Sequence, residues 1–233
     1  MLSKFIEREN WIFEVLQQFV AAGLEFVTIG GYAVSAYKHR FSVDADIVLK
    51  RSDLGGFVQI LEKNGFVKTI SKQLENAYSS EFARYEKATE LPVSFDLLID
   101  GVGVRQTSAA FGYDFLMSHS KKKIVKGMEK EVTLLVPGKE ILIVLKLHAG
   151  RATDLRDVAA LCKGIDLSLI KEVIGKGDIG PVNDAIAKLI SLLEDYDFIN
   201  SFKGIFIEKK YDLDINEIKK LGSLLATKQG RQM

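Results

Sequence analysis

The chain is poor in cysteine, in net charge and in long apolar runs. Cys162 is the single cysteine among 233 residues, so no internal disulfide can form. It sits in an apolar helical pattern and reads as a small core residue. Lys and Arg number 32 against 31 Asp and Glu, a formal net charge of +1. That removes any bulk electrostatic case for binding nucleic acid or a membrane surface and leaves room only for a local basic patch. No apolar run approaches the ~20 residues that a membrane-spanning helix needs. The first residues, Met1-Leu-Ser-Lys-Phe-Ile-Glu-Arg-Glu, carry acids and no continuous apolar segment. No secretory signal is expected, and a cytoplasmic protein is the default expectation. There is no internal repeat and no low-complexity segment. His39, His119 and His148 are scattered without metal-ligand spacing and read as surface or satisfied side chains.

What is present is ordinary for a soluble globular chain: 47% hydrophobic and 27% charged residues, enough for one large domain or two modest ones. Apolar residues over 3–22 (Phe5, Ile6, Ile12, Phe13, Val15, Leu16, Phe19, Val20) recur with helical spacing and stop near Gly23. Phe26–Ile29 reads as a buried strand, residues 31–38 as a helix and Val43–Leu49 as a second strand. Ser52 and Asp53 look like a helix start for residues 54–63. Strands are expected at 66–70, 81–87 and 93–99, the last two as a hairpin. Residues 107–118 are helical or irregular. The segments 123–125 and 132–136 read as another hairpin, and Pro137-Gly138 as punctuation. Helices are expected at 140–149, 154–162, 167–174, 182–193 and 214–226, with 202–207 a lone strand or a loop. The polar tail 226–233 is expected to be disordered. An α+β domain over 1–137 is thus followed by a helical domain over 138–233.

One stretch concentrates the chemistry. A glycine pair, Gly30-Gly31, follows a strand and opens a helix, where backbone N–H groups can approach a phosphate. Thirteen residues after Gly30-Gly31 comes Asp44-Ala45-Asp46. On a strand, residues i and i+2 point the same way about 6–7 Å apart, and paired carboxylates can flank hard cations roughly 4 Å from one another. Asp96 lies inside the apolar run Val93–Leu98 and must face solvent, a cation or a metal, because burying an unpaired carboxylate is costly. Ser42 and Arg40 lie just before the acids and can contact phosphate oxygens. The plainer alternatives are a turn cap or pairing with Arg40 and Lys50 for the two aspartates, a simple turn for the glycines, and a surface loop for Arg40 and Ser42.

A second cluster combines Lys146 and Arg151 with Asp154 and Asp157, the aspartates sharing a helix face at i, i+3. Lys146 can reach a triphosphate with the aspartates orienting Lys146 or Arg151, or the four can form a salt-bridge cluster locking two helices. The basic run Lys121, Lys122, Lys123, Lys126 and Lys130 is a solvated face or a guide for an RNA acceptor. Tyr78, Phe82 and Tyr85 pack or line a cleft.

The order Gly30-Gly31, Arg40, Ser42, Asp44, Asp46 and then Asp96 resembles the nucleotidyltransferase superfamily of the polymerase-beta type. The 140–157 stretch is similar to that family's Lys-bearing helix, with Thr153 where Lys is frequent. The resemblance covers about residues 20–165. It implies a nucleotidyltransferase-like mixed sheet with helices, and two magnesium ions (Mg2+) held by Asp44, Asp46 and Asp96. It implies a triphosphate handled by Gly30, Gly31, Arg40, Ser42, Lys146 and Arg151, with Asp154 and Asp157 in support. The commoner motif is Gly-Ser. Gly-Gly lacks one side-chain phosphate contact and resembles the AbiEii-type toxin branch. The implied activity is transfer of a nucleoside monophosphate from an NTP such as ATP to an acceptor hydroxyl on an RNA end, a protein or a small molecule, with a cognate antitoxin as a candidate partner. Two other readings stand beside it: an inactive nucleotide-binding or toxin–antitoxin scaffold of the same fold, and a plain α+β interaction module.

Overall fold

The computed structural model describes residues 2–72, 81–206 and 213–226. The chain divides into two compact units, one of residues 1–103 and 110–137, the other of residues 104–109 and 138–233.

The first unit is built on a five-stranded mixed sheet. Its strands are β1 (Phe26–Ile29), β2 (Asp44–Leu49), β3 (Val67–Lys72), β4 (Phe82–Lys87) and β5 (Val93–Ile99), in spatial order β1-β2-β5-β4-β3. Only β2 and β5 run parallel; the other three pairings are antiparallel. Alternation along the strands sends Ala45 and Ile47 to one face with Phe95 and Leu97, all fully buried. The helices α1 (Leu2–Ala21) and α3 (Leu54–Lys63) meet the aromatic part of that core. Phe19 makes edge contacts with Phe26, Phe57 and Phe95 at centroid separations of 5.9, 4.9 and 5.7 Å, geometry that aromatic quadrupoles favour. The spacing of Ile12, Phe13, Leu16 and Phe19, each at 0% exposure, is therefore the face of α1 that the sheet buries.

The opposite face of the same strands carries Asp44, Asp46, Ser94, Asp96, Arg84 and Glu86. The short helix α2 (Gly30–Ser35) joins β1 to the loop before β2. Two small strand pairs complete the described strands: β6 (Gly101–Val104) with β7 (Ala109–Gly112), and β8 (Ser120–Lys126) antiparallel to β9 (Glu131–Pro137). Between β7 and β8 lies α4 (Tyr113–Ser118).

The second unit holds α5 (Lys139–Ala149), α6 (Ala152–Leu161), α7 (Leu167–Val173), α8 (Gly180–Leu192), α9 (Tyr196–Ile205) and α10 (Ile215–Ala226). Residues 104–109 belong to it because Thr107 is tied in twice. Its carbonyl accepts from the Asp178 amide at 2.6 Å, and its hydroxyl bonds His148 Nδ1 at 2.8 Å.

Three expectations need correction. Residues 107–118 are neither all helix nor irregular: β7 and α4 divide them, after a β6 that the sequence reading missed. The turns there use Asp100 and Ser108 at φ 64° and 53°, conformations uncommon outside glycine; Gly101 marks the first, but no glycine marks the turn at Ser108. The segment 202–207 is helical as far as Ile205, with Phe206 extended beyond the helix end. Asp195 caps α9 by accepting from the Asp197 and Phe198 amides, and the i, i+4 pair Phe198–Phe202 closes edge-on at 5.1 Å. Asp53 makes no side-chain cap for α3; a 3-10 turn over Arg51–Asp53 leads in instead. Tyr78 and the tail beyond residue 226 lie outside the described residues.

Candidate functional site

Strand register assembles the acids. Asp46 on β2 lies opposite Asp96 on the parallel β5, and Asp96 lies opposite Arg84 on the antiparallel β4. The three form one cross-strand row, and Asp44, two residues before Asp46, shares their face. One oxygen from each of Asp44, Asp46 and Asp96 falls within 4.8 Å of the others. An all-oxygen carboxylate set of this size fits a hard divalent cation. Asp96 is buried and Asp44 and Asp46 are half-buried.

Arg84 is the residue that sequence reading missed. Its Nε donates to Asp96 Oδ1 and its Nη2 to Asp96 Oδ2, both at 2.6 Å, while Nη2 stands 3.6 Å from Asp44 Oδ2. This fork answers the demand that a buried aspartate find a partner. The signal was only an arginine in an alternating strand; the hairpin register with Asp96 was needed to make it legible. Burial pushes the Asp96 carboxyl above its ordinary value, against the pull of Arg84 and with help from Asp44 and Glu86. Arg84, less buried, is held charged by the same bond. Both groups are shifted upward, which disfavours charge on the acid and favours it on the arginine, because desolvation is the largest influence on Asp96 and the bond to Asp96 the largest on Arg84.

The glycine pair is explained by space. Gly30 has φ 64°, and a Cβ there would lie well under 3.0 Å from the Asp46 carboxylate. A Cβ on Gly31 would collide with the Ser42 hydroxyl and come within 2.6 Å of Arg40 Nη2. Ser42 is buried, and Arg40 half-buried. The side chains of Ser42 and Arg40 therefore fill the place a residue-31 side chain would take. Gly30→Ala is expected to destabilise the first unit by about 2–4 kcal/mol, the sum of a left-handed β-carbon and the displacement of Asp46. The control is Gly55→Ala, where a Cβ meets nothing within 4 Å and the helix should gain slightly. Urea midpoints of the two variants check this.

The structure thus brings Gly30, Gly31, Arg40, Ser42, Asp44, Asp46 and Asp96 together in the first unit. The alternative pairing of the acids with Lys50 is not what occurs: Lys50 bridges Asp114 at 3.1 Å. A cleft of about 350 Å³ lined by Lys50, Arg51, Ser52, Asp100 and Tyr113 among others lies past the far end of β2 and contains none of the proposed site residues. Of the lysine run, Lys121, Lys122 and Lys126 are exposed. Lys123 lies over the Tyr37 ring at 4.0 Å, and Lys130 pairs with Glu14. Tyr85 is buried and Phe82 half-buried.

Lys146, Arg151, Asp154 and Asp157 come together in the second unit. Lys146 Nζ, on a side chain 10% exposed, donates to Asp154 Oδ1 at 2.8 Å and stands 2.9 Å from Asp157 Oδ2. Arg151 Nε donates to Asp154 Oδ2 at 2.6 Å. Helices α5 and α6 are joined by this cluster. Burial opposes the charge on Lys146, but Asp157 and Asp154 outweigh it and hold its pKa above the usual 10.5. For Asp154, burial is overcome by Arg151 and Lys146, and its pKa falls below 3.8. A carboxyl depressed in the folded state stabilises above its unfolded pKa and stops doing so as pH falls through the folded one. The lysine contribution is full below 10.5 and is lost as pH rises beyond it. Urea midpoints should therefore hold between these limits and drop on the acid side below 3.8, and Asp154→Asn should blunt that acid limb.

Cys162 is buried, as expected, and its thiol is pushed up to about 12 by burial. Among the described residues no helix is long and apolar enough to cross a membrane.

No protein-family model and no curated protein matches the chain. Several solved structures are similar in arrangement. A provisionally named nucleotidyltransferase from H. pylori aligns over 96% of this chain and 94% of its own, at 18% identity and a TM-score of 0.49. The antibiotic-resistance factor ANT(2'')-Ia covers 84% of this chain and 98% of its own at 12% identity and 0.49. The lincosamide antibiotic adenylyltransferase LnuA, solved with lincomycin, covers 66% and 96% at 18% identity and 0.42. At such identities and scores these likenesses assign no activity to this chain.

Proposed function

We propose that the chain is a divalent-metal-dependent nucleotidyltransferase. The observation that supports this best is the convergence of Asp44, Asp46 and Asp96, with oxygens within 4.8 Å of one another, beside a glycine pair crowded by Arg40 and Ser42. In the proposed reaction an acceptor hydroxyl oxygen forms a bond to the α-phosphorus of an NTP. The bond from that phosphorus to the β-phosphate oxygen breaks, and pyrophosphate leaves. Asp44, Asp46 and Asp96 would hold the divalent ions. Bound there, the ions would supply positive charge to the phosphates and the attacking oxygen. Asp96 is assigned the acceptor's proton. Arg40 and Ser42 take phosphate oxygens, Ser42 standing in for the hydroxyl that a Gly-Ser motif carries at its second position. Lys146 and Arg151 are proposed as further phosphate contacts, with Asp154 and Asp157 orienting them.

The finer reading places the chain in the AbiEii-type branch, with an RNA or protein hydroxyl as acceptor and a cognate antitoxin as partner. It rests on Gly30-Gly31, and the packing of Arg40 and Ser42 against Gly31 gives that pair a local reason as well. A second reading, an inactive nucleotide-binding scaffold, is favoured by one observation: Arg84 occupies both oxygens of Asp96.

The test is incubation with α-labelled NTPs, magnesium and separate RNA, protein and aminoglycoside-like hydroxyl acceptors. Magnesium-dependent label transfer that EDTA abolishes is expected. Nucleotide binding by calorimetry without transfer to any acceptor would favour the scaffold.

A further inference from the structure

We infer that Arg84 is the resident counter-cation of the carboxylate cluster and competes with a divalent metal ion for Asp96. The inference rests on the metal reading above but concerns a residue outside it.

The geometry is specific. The register of β4, β5 and β2 puts Arg84, Asp96 and Asp46 in one row on one sheet face. The guanidinium donates to both oxygens of Asp96, and its Nη2 also stands 3.6 Å from Asp44 Oδ2. It is therefore bonded to one of the three acids and close to a second. Three carboxylates and one guanidinium leave a formal charge of −2 on the cluster, against −3 without Arg84. A metal ion approaching Asp96 meets a fixed positive charge on the same two oxygens and must displace it or share them. Lysine would hold the carboxylate as a point charge; arginine's planar fork occupies both oxygens together. Asp96 is the buried member of the three, so it is also the one that most needs a cation at all times. Arg84 meets that need without metal, and Asp44 and Asp46 are the half-buried members at which an ion first binds.

This is a positioning role with a consequence that simple structural support does not have. Removing a supporting residue weakens metal binding; removing a competitor strengthens it. Arg84→Met keeps the length and apolar stem of the side chain and removes the fork. The probe is Mn2+ alone, without nucleotide, titrated into the full chain and followed by the EPR signal of the free ion. Arg84→Met is expected to bind Mn2+ at least about tenfold more tightly than the unmodified chain, since added net ligand charge tightens such sites. Arg84→Lys should fall between. In parallel, Arg84→Met should unfold at a lower temperature than the unmodified chain in EDTA and recover more on adding Mn2+. Equal or weaker Mn2+ binding in Arg84→Met overturns the inference. So does a Mn2+-induced rise in unfolding temperature no larger than that of the unmodified chain. If Arg84→Met is too unstable to titrate, Arg84→Lys carries the comparison with the same criterion. Asp44→Asn separates the two levels: Mn2+ binding indifferent to Asp44→Asn in every background defeats the metal reading itself, whatever Arg84 does.

Discussion

Asp44→Asn and Asp46→Asn should each lower nucleotidyl transfer by about a thousandfold while leaving the fold intact. The amide is isosteric with the carboxylate, and both positions are half-buried rather than packed in the apolar core. What is lost is one of three negative charges on a cluster whose oxygens lie within 4.8 Å of one another. Several kcal/mol of transition-state charge stabilisation is what a bound divalent ion supplies, and each 1.4 kcal/mol is about tenfold in rate. The check is label transfer under magnesium, with circular dichroism and urea midpoints recorded on the same preparations. Unchanged transfer in both variants would remove the catalytic reading. Asp46 is the more constrained of the two, because its carboxylate lies against the α-carbon of Gly30. Some change in stability in Asp46→Asn alone is therefore expected, and it is separable from loss of rate.

Lys146→Met should destabilise the second unit by about 3–5 kcal/mol, the usual result of taking one partner from a buried ion pair. Asp154 and Asp157 are 0% and 1% exposed, and Lys146 bridges both. Arg151 continues to hold Asp154 after the substitution, so the penalty falls chiefly on Asp157. The double variant Lys146→Met, Asp157→Asn should recover part of the loss, since it no longer buries a carboxylate that has lost its Lys146 partner. Urea unfolding of the two variants measures it. No recovery would mean that Lys146 acts through something other than its charge. Because this effect is on stability, any loss of transfer in Lys146→Met has to be compared at matched folded fraction before Lys146 is credited with a phosphate contact.

The acids were legible from the sequence because each is an anomaly at its own position. Asp44-x-Asp46 in an apolar strand and Asp96 in Val93–Leu98 violate the period of a buried strand, and burial without a partner is expensive. The glycine pair was legible as a turn before a helix, but its reason was not. Gly30 is required by the Asp46 carboxylate and Gly31 by Ser42 and Arg40, contacts that join residues 9 to 16 positions apart and exist only once β1 and β2 pair. Arg84 was not legible at all as a site residue. Nothing in Phe82-Ala-Arg84-Tyr85 distinguishes it from a solvent-facing arginine until the β4–β5 hairpin sets its register against Asp96.

The same division holds for the rest of the chain. Helical periodicity and caps are local, so α1, α3 and most of the later helices could be read within a residue or two of their ends. The pairing of β6 and β7 was missed although Asp100-Gly101 marks a turn before β6, because the connection between the two strands turns at Ser108, where no glycine stands. Helix α9 was misread because two phenylalanines at i, i+4 look as much like a short buried strand as a helix until the Asp195 cap is seen. Sequence by itself determined where the chemistry-bearing residues lie and that they need partners, since propensity, period and the cost of burying charge act on neighbours along the chain. Tertiary structure alone decided which partner each one found, and that the third carboxylate of the cluster is held by an arginine, because strand register is a long-range property that no local pattern encodes.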